Sequence, residues 1–452
     1  MTRCAWLLWG VLLIGPVGAC GKGPPGPDAS RSGPPSRTAD REEGHTALEG
    51  AGPARQPDDG GPRSGPVLGA GSARVGPTRG ELHEAIDRAA AYLVRACRED
   101  GKFVYRVNLD PDVTPEPKYN MLRHAGTIYA LGMAQQWRAD RSIEAAMVRA
   151  AGFLKRRAIG PVPQQDPMLA VWSDPRLTGN DGPLQAKLGG TGLGLVALLS
   201  VERVRPGFTS PDELRKLGRF LVWMQKEDGS FYSKHLPDGP GRDDRWTSLY
   251  YPGEAALGLL LLYENDPSPV WAKAAAKAVA YLARRRRDRV RVEADHWALL
   301  ATARLFSLAE EHALVIDRAA ALRHAVQVCE AILDEKPRYA ASRQTAGCLT
   351  ADGRTCPTAT RLEGLLAALR FLPPEHAALR ARIGPALHEG IAFLVRAQVK
   401  DGPHSGAIPR AAEPRGPGDE RATEVRIDYV QHALSAMIQY DRLLRAAAPP
   451  AQ

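Results

Sequence analysis

Aromatic residues are scarce in this chain, at 6% of 452 residues. A cavity built from such a sequence has few flat rings on which sugars could stack or which could stabilise carbocations. Long apolar segments are also lacking near the N-terminus, where the strongest one covers only residues 5–14. A membrane-spanning helix needs roughly 20 apolar residues, so this segment is too short to cross a bilayer.

The short apolar segment has the features of a signal peptide. Arg3 supplies a positive charge before it, and small residues precede Cys20. The tetrapeptide Val17–Cys20 resembles the lipobox of bacterial lipoproteins, in which the cysteine is diacylated and becomes the new N-terminus. The resemblance implies that residues 1–19 are removed, that Cys20 carries the lipid, and that the protein is exported and anchored to the cell envelope. Gly21 in place of Asp favours the outer membrane if the host has one, and an ordinary cleaved signal peptide is the alternative.

Residues 20–77 differ in composition from the rest of the chain. They are rich in Pro, Gly, Ser, Asp and Arg and contain almost no aromatic or β-branched residues. Such a segment cannot bury enough apolar area to offset the entropy lost on ordering, so a disordered tether is predicted. The net charge of the whole chain is +9, and its densest basic run, Arg284–Arg287, lies at a predicted helix end, where cations are favoured. Anionic lipid head groups or an acidic glycan are the alternative reason for this run, and export argues against nucleic acid.

Cysteine is used sparingly, with six in the chain. Cys348 and Cys356 bracket a short glycine-containing loop. In an oxidising compartment this arrangement predicts a disulfide between them. Metal ligation is the alternative, although the paired spacing of a zinc knuckle is missing.

Two kinds of helix alternate over residues 78–448, where apolar residues recur three and four apart. One kind is amphipathic, and three copies share an aromatic-Leu-Val core followed by Asp-Gly, at residues 92–101, 220–229 and 393–402. The glycine ends the helix because it can adopt the left-handed conformation. The other kind is apolar on nearly all sides and is expected to be buried. These inner segments are Ala125–Ala134, Gly189–Val201, Gly253–Tyr263, Trp297–Leu308, Leu362–Leu372 and Tyr429–Tyr440.

The alternation predicts about six helical hairpins that bury a continuous core only together. Neither end shows an atypical capping repeat, which favours a closed ring, so the predicted fold is an all-α (α/α)6 toroid. The segment Phe220–Phe231 resembles the repeat of α/α-toroid proteins such as terpene cyclases and protein prenyltransferase β-subunits. The six-hairpin toroid is shared with many polysaccharide hydrolases, lyases and sugar epimerases, so the resemblance implies an architecture and not one family.

Polar residues recur where the predicted inner helices begin. In a closed ring these helices run the same way, so the residues should converge at one mouth. Buried charges destabilise the fold unless they are paired, and such charges are often kept for binding or catalysis. The cluster is therefore a candidate active site. The candidate catalytic residues are Glu254, Glu363, His296, His432, Tyr251 and Tyr429. The candidate substrate-binding residues are Tyr119, Asn120, Arg123, His124, Lys187, Asp295 and Arg361.

Structural roles are the alternative for several of these residues. Glu254 and Glu363 would be favoured in a first helical turn by the helix dipole, and Asp295 could be an N-cap. Arg123 and His124 resist this explanation, because two cations at a helix start oppose the dipole. We therefore expect Glu254, Glu363 or a bound ligand to compensate them.

This set of side chains predicts acid–base chemistry on carbohydrate. Glu254 and Glu363 are candidates for the two carboxyl groups of a glycosidase, which lie roughly 5–9.5 Å apart. The histidines, Tyr251 and Tyr429 suit proton abstraction from an acidic sugar, with the basic residues neutralising its carboxylate. A polysaccharide or uronate hydrolase, lyase or epimerase is the favoured function.

Two further functions remain open at the level of sequence. A non-catalytic binding or scaffold toroid fits the same pattern. A terpene-cyclase-like or prenyltransferase-like enzyme is less favoured, since Arg242–Arg245 lacks the first Asp of the Asp-x-Asp-Asp motif and no cysteine has the spacing for zinc. No cofactor or metal is predicted, with a zinc ion at His296, His432 and Asp295 as the alternative.

Overall fold

The computed structural model describes residues 76–312, 314–335, 342–414, 416 and 418–447. The predicted signal peptide, Cys20 and almost all of the tether lie outside the described residues. Within the described ranges, no helix is both long enough and apolar enough to cross a membrane.

Long helices alternate between an outer and an inner ring in the part of the chain that the structure describes. The outer helices are α1 (Arg79–Ala96), α3 (Arg141–Arg157), α5 (Pro211–Trp223), α7 (Pro269–Arg286), α9 (Arg318–Asp334) and α11 (Ala377–Ala397). The inner helices are α2 (Met121–Trp137), α4 (Leu188–Glu202), α6 (Tyr251–Asn265), α8 (His296–His312), α10 (Thr355–Leu369) and α12 (Ile427–Ala447). A single helical turn, Pro175–Thr178, and a 3-10 turn, Pro374–His376, complete the helical elements.

The inner helices form a closed ring, because each packs against the next and α12 packs against α2. The two kinds of helix bury different faces. The outer helix α5 buries one stripe, Leu214, Leu217, Gly218, Phe220 and Leu221. Inner helix α4, in contrast, is buried at every position from Leu188 to Val201. The predicted (α/α)6 toroid is confirmed.

Glycine allows the inner helices α4 and α6 to approach closely. A Cβ atom at Gly192 would lie 2.8 Å from the carbonyl oxygen of Glu254, and one at Gly258 would lie 2.7 Å from the carbonyl oxygen of Gly192. Both contacts are with backbone atoms, which cannot rotate away. Glycine at these two positions therefore fixes the distance between α4 and α6.

Short strands occupy the connections that lead from an outer helix to the next inner helix. They are β1 (Arg106–Asn108), β2 (Ile159–Pro161), β3 (Leu169–Ser173), β4 (Gln185–Lys187), β5 (Lys234–Leu236), β6 (Gly241–Asp243) and β7 (Glu424–Arg426). Strand β1 pairs antiparallel with β7, with Val107 opposite Val425. Strands β2 to β6 form an antiparallel sheet in chain order, with Ala186 of β4 opposite both Trp172 and His235. The strands thus lie at the end of the ring where the inner helices begin, which we call the mouth.

All six inner helices begin earlier than the predicted segments, and α10 differs most. Helix α10 starts at Thr355 and not at Leu362. Arg361 and Glu363 therefore lie within the helix and not at its N-terminus. The helix dipole consequently does not explain the burial of the Glu363 carboxylate, because the effect is confined to the first turn.

Candidate functional site

Three of the predicted residues meet on successive inner helices. His296 on α8, Glu363 on α10 and His432 on α12 bring their polar atoms within 4.8 Å of one another. All three residues are buried, with His296 only 1% exposed. His432 Nδ1 lies 2.7 Å from Glu363 Oε2, and the ring centroids of His296 and His432 are 5.5 Å apart. We call this group the histidine–glutamate cluster.

A small residue beside Glu363 lets α10 approach α8. A Cβ atom at Gly364 would lie 3.1 Å from the Cβ of His296. Because Gly364 faces α8, the preceding Glu363 is turned towards α12 and reaches His432. Aromatic rings enclose the cluster, with Tyr250 5.1 Å from the His296 ring and Trp297 6.3 Å from the His432 ring.

His296 has an unusual environment for a buried polar side chain. Neither ring nitrogen has a hydrogen-bond partner among the described residues. Burial, together with the nearby His432 and the positive charge of Arg361, holds the pKa of His296 well below its usual range. The imidazole is therefore neutral and offers one N–H donor and one lone pair. A buried polar group without a partner is destabilising, so a water molecule or a ligand is the expected partner.

The cluster has the donor types of a zinc site but not its spacing. Two ligands bound to tetrahedral zinc at about 2.0–2.2 Å lie roughly 3.4 Å from each other. The 2.7 Å separation of His432 and Glu363 is instead a hydrogen-bond distance. The zinc alternative proposed from the sequence also needs correction, because Glu363 and not Asp295 accompanies the two histidines.

A second charged cluster lies where β7 meets α12. Arg123 Nε is 3.1 Å from Asp428 Oδ2, and Arg123 Nη1 donates a hydrogen bond of 2.6 Å to the hydroxyl of Tyr105. Arg426 donates two hydrogen bonds of 2.8 and 2.9 Å to the same carboxylate of Asp428. Burial acts to raise the pKa of Asp428, but the guanidinium groups of Arg426 and Arg123 outweigh it and hold that pKa far below its usual range.

Asp428 is therefore the anion that compensates Arg123. The sequence-based expectation that Glu254 or Glu363 would do so is wrong. The Arg-x-Asp spacing of Arg426 and Asp428 was the available signal, because it places both residues at the start of an inner helix.

The side chain of His124 turns away from the mouth towards an outer helix, which corrects its predicted role in substrate binding. Its Nδ1 lies 2.7 Å from the hydroxyl of Tyr119, and its Nε2 lies 2.9 Å from the carbonyl oxygen of Ala150 on the outer helix α3. Burial lowers the pKa of His124 to about 4, so the ring is neutral at pH 7 and does not oppose the helix dipole. Tyr119 also accepts a hydrogen bond from the backbone N–H of Phe103, and both side chains serve packing.

Two further predicted substrate-binding residues are helix caps. Asn120 accepts hydrogen bonds from the backbone N–H groups of Leu122 and Arg123 at the start of α2. Asp295 accepts a bond from Ala298 N at 3.1 Å and from Arg286 Nη2 at 2.8 Å. The carboxylate of Asp295 thus points towards the outer helix α7. For Asp295 the N-cap alternative holds, and the cap role of Asn120 corrects its predicted role in substrate binding.

Glu254 and Tyr251, at the start of α6, pack against α4. A Cβ atom at Gly189 would lie 1.9 Å from Glu254 Oε2 and 2.5 Å from Tyr251 Cδ1. Only glycine at position 189 therefore leaves room for these two side chains. Lys187, at the end of β4, immediately precedes α4. All three residues keep the positions at the mouth that the sequence predicts.

The side chain of Tyr429, in the first turn of α12, contacts residues of β7. Its hydroxyl donates a 2.8 Å hydrogen bond to Glu424, and the guanidinium of Arg426 lies 4.5 Å from its ring. Burial raises the pKa of Tyr429 well above its usual value. These contacts make Tyr429 a poor general base, contrary to the sequence-based expectation.

The predicted disulfide is not formed, and both cysteines are free thiols. Cys348 Sγ lies 3.2 Å from the hydroxyl of Thr350 and 3.2 Å from that of Thr358. Cys356 belongs to the first turn of α10 and faces the carbonyl oxygen of Asp428 at 4.0 Å. The early start of α10 turns this thiol towards α12 and away from Cys348.

The sequence matches no family model and no curated protein. Solved structures of 11% identity share the fold. An inactive variant of the α-1,6-mannanase of Salegentibacter sp. HEL1_6, in complex with α-1,6-mannotriose, aligns with 80% of this chain and 99% of that chain at a TM-score of 0.54. A D-mannose isomerase aligns with 81% of this chain and 98% of that chain at 0.57. A sugar epimerase from a ruminal bacterium aligns with 80% of this chain and 98% of that chain at a TM-score of 0.57.

These structures of carbohydrate-processing enzymes share the six-hairpin toroid with this chain. At this identity the comparisons show the fold alone. The chemistry of this chain must be argued from its own residues at the mouth.

Proposed function

We propose that the protein is a carbohydrate-processing enzyme that moves a proton on a sugar, as an isomerase or epimerase does. The observation that carries the proposal is the pair of buried imidazoles, 5.5 Å apart, of which one is held by a carboxylate and the other has no partner among the described residues. Two groups that can each give or take a proton are what such a reaction requires. The similarity in fold to a D-mannose isomerase and a sugar epimerase supports this choice.

The contacts of His432 suit it to act as the general base. Nδ1 donates its proton to the carboxylate of Glu363, which fixes the ring orientation and leaves Nε2 as the basic nitrogen. The negative charge of Glu363 stabilises the imidazolium formed when Nε2 takes a proton from a carbon next to a sugar carbonyl. The electron pair of that C–H bond then moves into the carbonyl group and gives an enediolate.

His296 lies across from this base and completes the reaction. Its neutral ring can donate an N–H hydrogen bond to the carbonyl oxygen that becomes negative. Return of the His432 proton to the former carbonyl carbon, with the adjacent hydroxyl proton passing to the former carbonyl oxygen, gives an isomer. Protonation of the opposite face of the original carbon by a solvent proton, while His432 releases its own proton to solvent, gives an epimer. Hydrolysis by a pair of carboxylates is less well supported, because Glu363 is already bonded to His432.

An exposed tryptophan offers a surface for the rest of the sugar. Trp246 is 45% exposed, and its ring lies 5.9 Å from that of Tyr251 at the start of α6. The face of an indole ring packs well against the C–H groups of a pyranose. A single such platform suits a short substrate, in agreement with the low aromatic content of the chain.

Exchange of substrate hydrogen with solvent tests the proposal. We expect the protein to incorporate deuterium from D2O into a sugar of a panel of aldoses, ketoses and sugar acids, as followed by NMR. His432→Asn and His296→Gln should each slow the exchange by about 100-fold or more. His312→Gln is the matched control, because His312 lies at the other end of α8 and is exposed. A folded protein that exchanges and converts no sugar of the panel would contradict the proposal.

We also propose that the enzyme is exported and anchored through a lipid on Cys20. The support is the sequence of residues 1–20 alone. Metabolic labelling with radioactive palmitate should mark the wild-type protein in the membrane fraction. Cys20→Ala should remove both the label and the membrane association, and an unlabelled wild-type protein would count against the anchor.

A further inference from the structure

We infer that the substrate carries an anionic group and that Arg361 binds this group beside His296. The inference rests on the proposed function for the location of the reaction centre. It adds the chemical class of the substrate, a sugar acid or another sugar with anionic oxygen atoms. The evidence is a pair of neighbouring buried side chains with N–H groups and ring nitrogens that no described residue satisfies.

The position of Arg361 follows from the packing of α10 on α8. Gly364 meets His296, since its Cβ position is 3.1 Å from the Cβ of His296. Residues three apart share a helix face, so Arg361 lies on this face one turn nearer the N-terminus of α10. The N-termini of the inner helices form the mouth. Arg361 is therefore above His296, between the reaction centre and the opening.

The guanidinium of Arg361 is buried but only partly paired. Its side chain is 3% exposed, and its Nη2 donates to Glu335, which is 27% exposed. Nε and Nη1 have no hydrogen-bond partner among the described residues. A buried cation with unpaired N–H groups is destabilising unless something else accepts them.

Another buried arginine shows what a purely structural site looks like in this protein. Arg286 donates to Asp295 at 2.8 Å and contacts His324 Nε2 at 3.0 Å. Both of its terminal nitrogens thus have partners within the protein. Arg361 differs because Nη1, one of its two terminal nitrogens, has no partner in the part of the chain that the structure describes.

The unpaired groups of Arg361 and His296 point to one shared ligand. The charge of Arg361 reaches His296, since it helps to lower the pKa of that ring. A neutral imidazole cannot compensate a guanidinium, whereas an anionic oxygen accepts strong hydrogen bonds from it. A carboxylate elsewhere on the sugar would place its oxygens at Arg361 while the reacting carbon lies near the histidines. A sugar phosphate presents anionic oxygens of the same kind.

Binding measurements with matched sugars test the inference. Isothermal titration calorimetry would compare D-mannose, D-mannuronate and D-mannose 6-phosphate, which differ in the charge of one substituent. We expect at least one of the charged sugars to bind about tenfold or more tightly than mannose. Arg361→Gln should remove this difference. Preference for mannuronate identifies a carboxylate as the anion, and preference for the phosphate ester identifies a phosphate.

Two further variants separate binding from folding. Glu335→Gln removes the carboxylate that competes for Arg361, so it should keep or strengthen the preference for the charged sugar even if Arg361→Gln does not fold. Arg304→Gln is the matched control, because it removes an arginine–glutamate pair, with Glu264, about two turns along α8 from His296. This control should leave the preference unchanged.

Equal affinities for neutral and charged sugars, or binding of neither charged sugar, would overturn the inference. If the inference fails but the protein still exchanges the hydrogen of a neutral sugar with solvent, the proposed function stands. The proposed function fails only if the protein exchanges the hydrogen of neither neutral nor acidic sugars. Loss of the preference in Glu335→Gln would make the ion pair a structural one and would also overturn the inference.

Discussion

Individual histidines in this protein serve opposite purposes, which their hydrogen bonds reveal. His124 and His296 are both buried at the starts of inner helices, and burial lowers the pKa of each. The ring nitrogens of His124 both have partners, whereas those of His296 have none among the described residues. One histidine stabilises the fold, and the other is kept in a state that suits a ligand.

Replacement of each histidine by phenylalanine should therefore have opposite effects on stability. His296→Phe removes a buried group without a hydrogen-bond partner and should raise the free energy of unfolding by about 1 kcal/mol. The same variant should abolish the exchange of sugar hydrogen with solvent. His124→Phe leaves Tyr119 and the Ala150 carbonyl without their partner and should lower the free energy of unfolding by about 2 kcal/mol. Urea unfolding of the two variants measures both values. A loss of stability in His296→Phe equal to that in His124→Phe would assign His296 a structural role.

The histidine–glutamate cluster is expected to work without a metal ion. The hydrogen bond of 2.7 Å between His432 and Glu363 would have to break before both could bind zinc. The charge of Arg361 next to His296 also opposes a dication. We expect that chelation with EDTA followed by gel filtration leaves the exchange of sugar hydrogen with solvent unchanged. Stoichiometric zinc in the purified protein, with activity lost on removal and restored on addition, would make the cluster a metal site.

At the scale of elements, the inner helices are held by close backbone contacts. Gly192→Ala places a Cβ atom 2.8 Å from the Glu254 carbonyl group, so α4 and α6 must move apart. We expect the free energy of unfolding to fall by about 3 kcal/mol. Hydrogen exchange should fall as well, because Glu254 and Tyr251 begin α6 at the mouth. Gly80→Ala on α1, whose nearest neighbour would be Thr78 Oγ1 at 4.0 Å, is the control and should be neutral or slightly stabilising. Equal stabilities of the two variants would show that α4 and α6 can separate freely.

The sequence predicts the helices of this fold much better than their side-chain directions. Inner helices are recognisable because they are apolar on nearly all sides, and this pattern depends on burial alone. Aligning their starts gives the level of a residue in the ring but not the direction in which it points. A shift of one position turns a side chain by about 100°, which is why neighbouring Arg123 and His124 face different partners.

Other features could not be read from periodicity because they depend on tertiary contacts. The strands at the mouth are three to five residues long, too short to show an alternating pattern. The first turn of α10 contains Pro357, which a helix tolerates near its N-terminus but which interrupts the apolar pattern. The convergence of His296, Glu363 and His432, in contrast, followed from a closed ring of parallel inner helices.

At the scale of the whole molecule, buried neutral histidines make the fold sensitive to acid. Burial lowers the pKa of His324 to about 3 and that of His124 to about 4, and His296 is shifted in the same direction. In the unfolded chain each histidine has a pKa of about 6.5. Since the unfolded state binds more protons below that value, these groups stabilise the fold fully above pH 6.5. This stabilisation is lost progressively as the pH falls towards the pKa values of the folded state.

His324 on α9 allows this prediction to be tested without disturbing the mouth. Its Nε2 lies 3.0 Å from Arg286 Nη1, and a glutamine at position 324 could accept the same hydrogen bond without titrating. As the pH falls from 7 to 5, each buried histidine should lower the free energy of unfolding by about 2 kcal/mol. The wild type should thus lose about 2 kcal/mol more than His324→Gln over this range, as measured by urea unfolding at both pH values. Equal losses of stability in the two proteins would mean that His324 binds a proton as readily in the folded state as in the unfolded state. Its burial beside a guanidinium should prevent this.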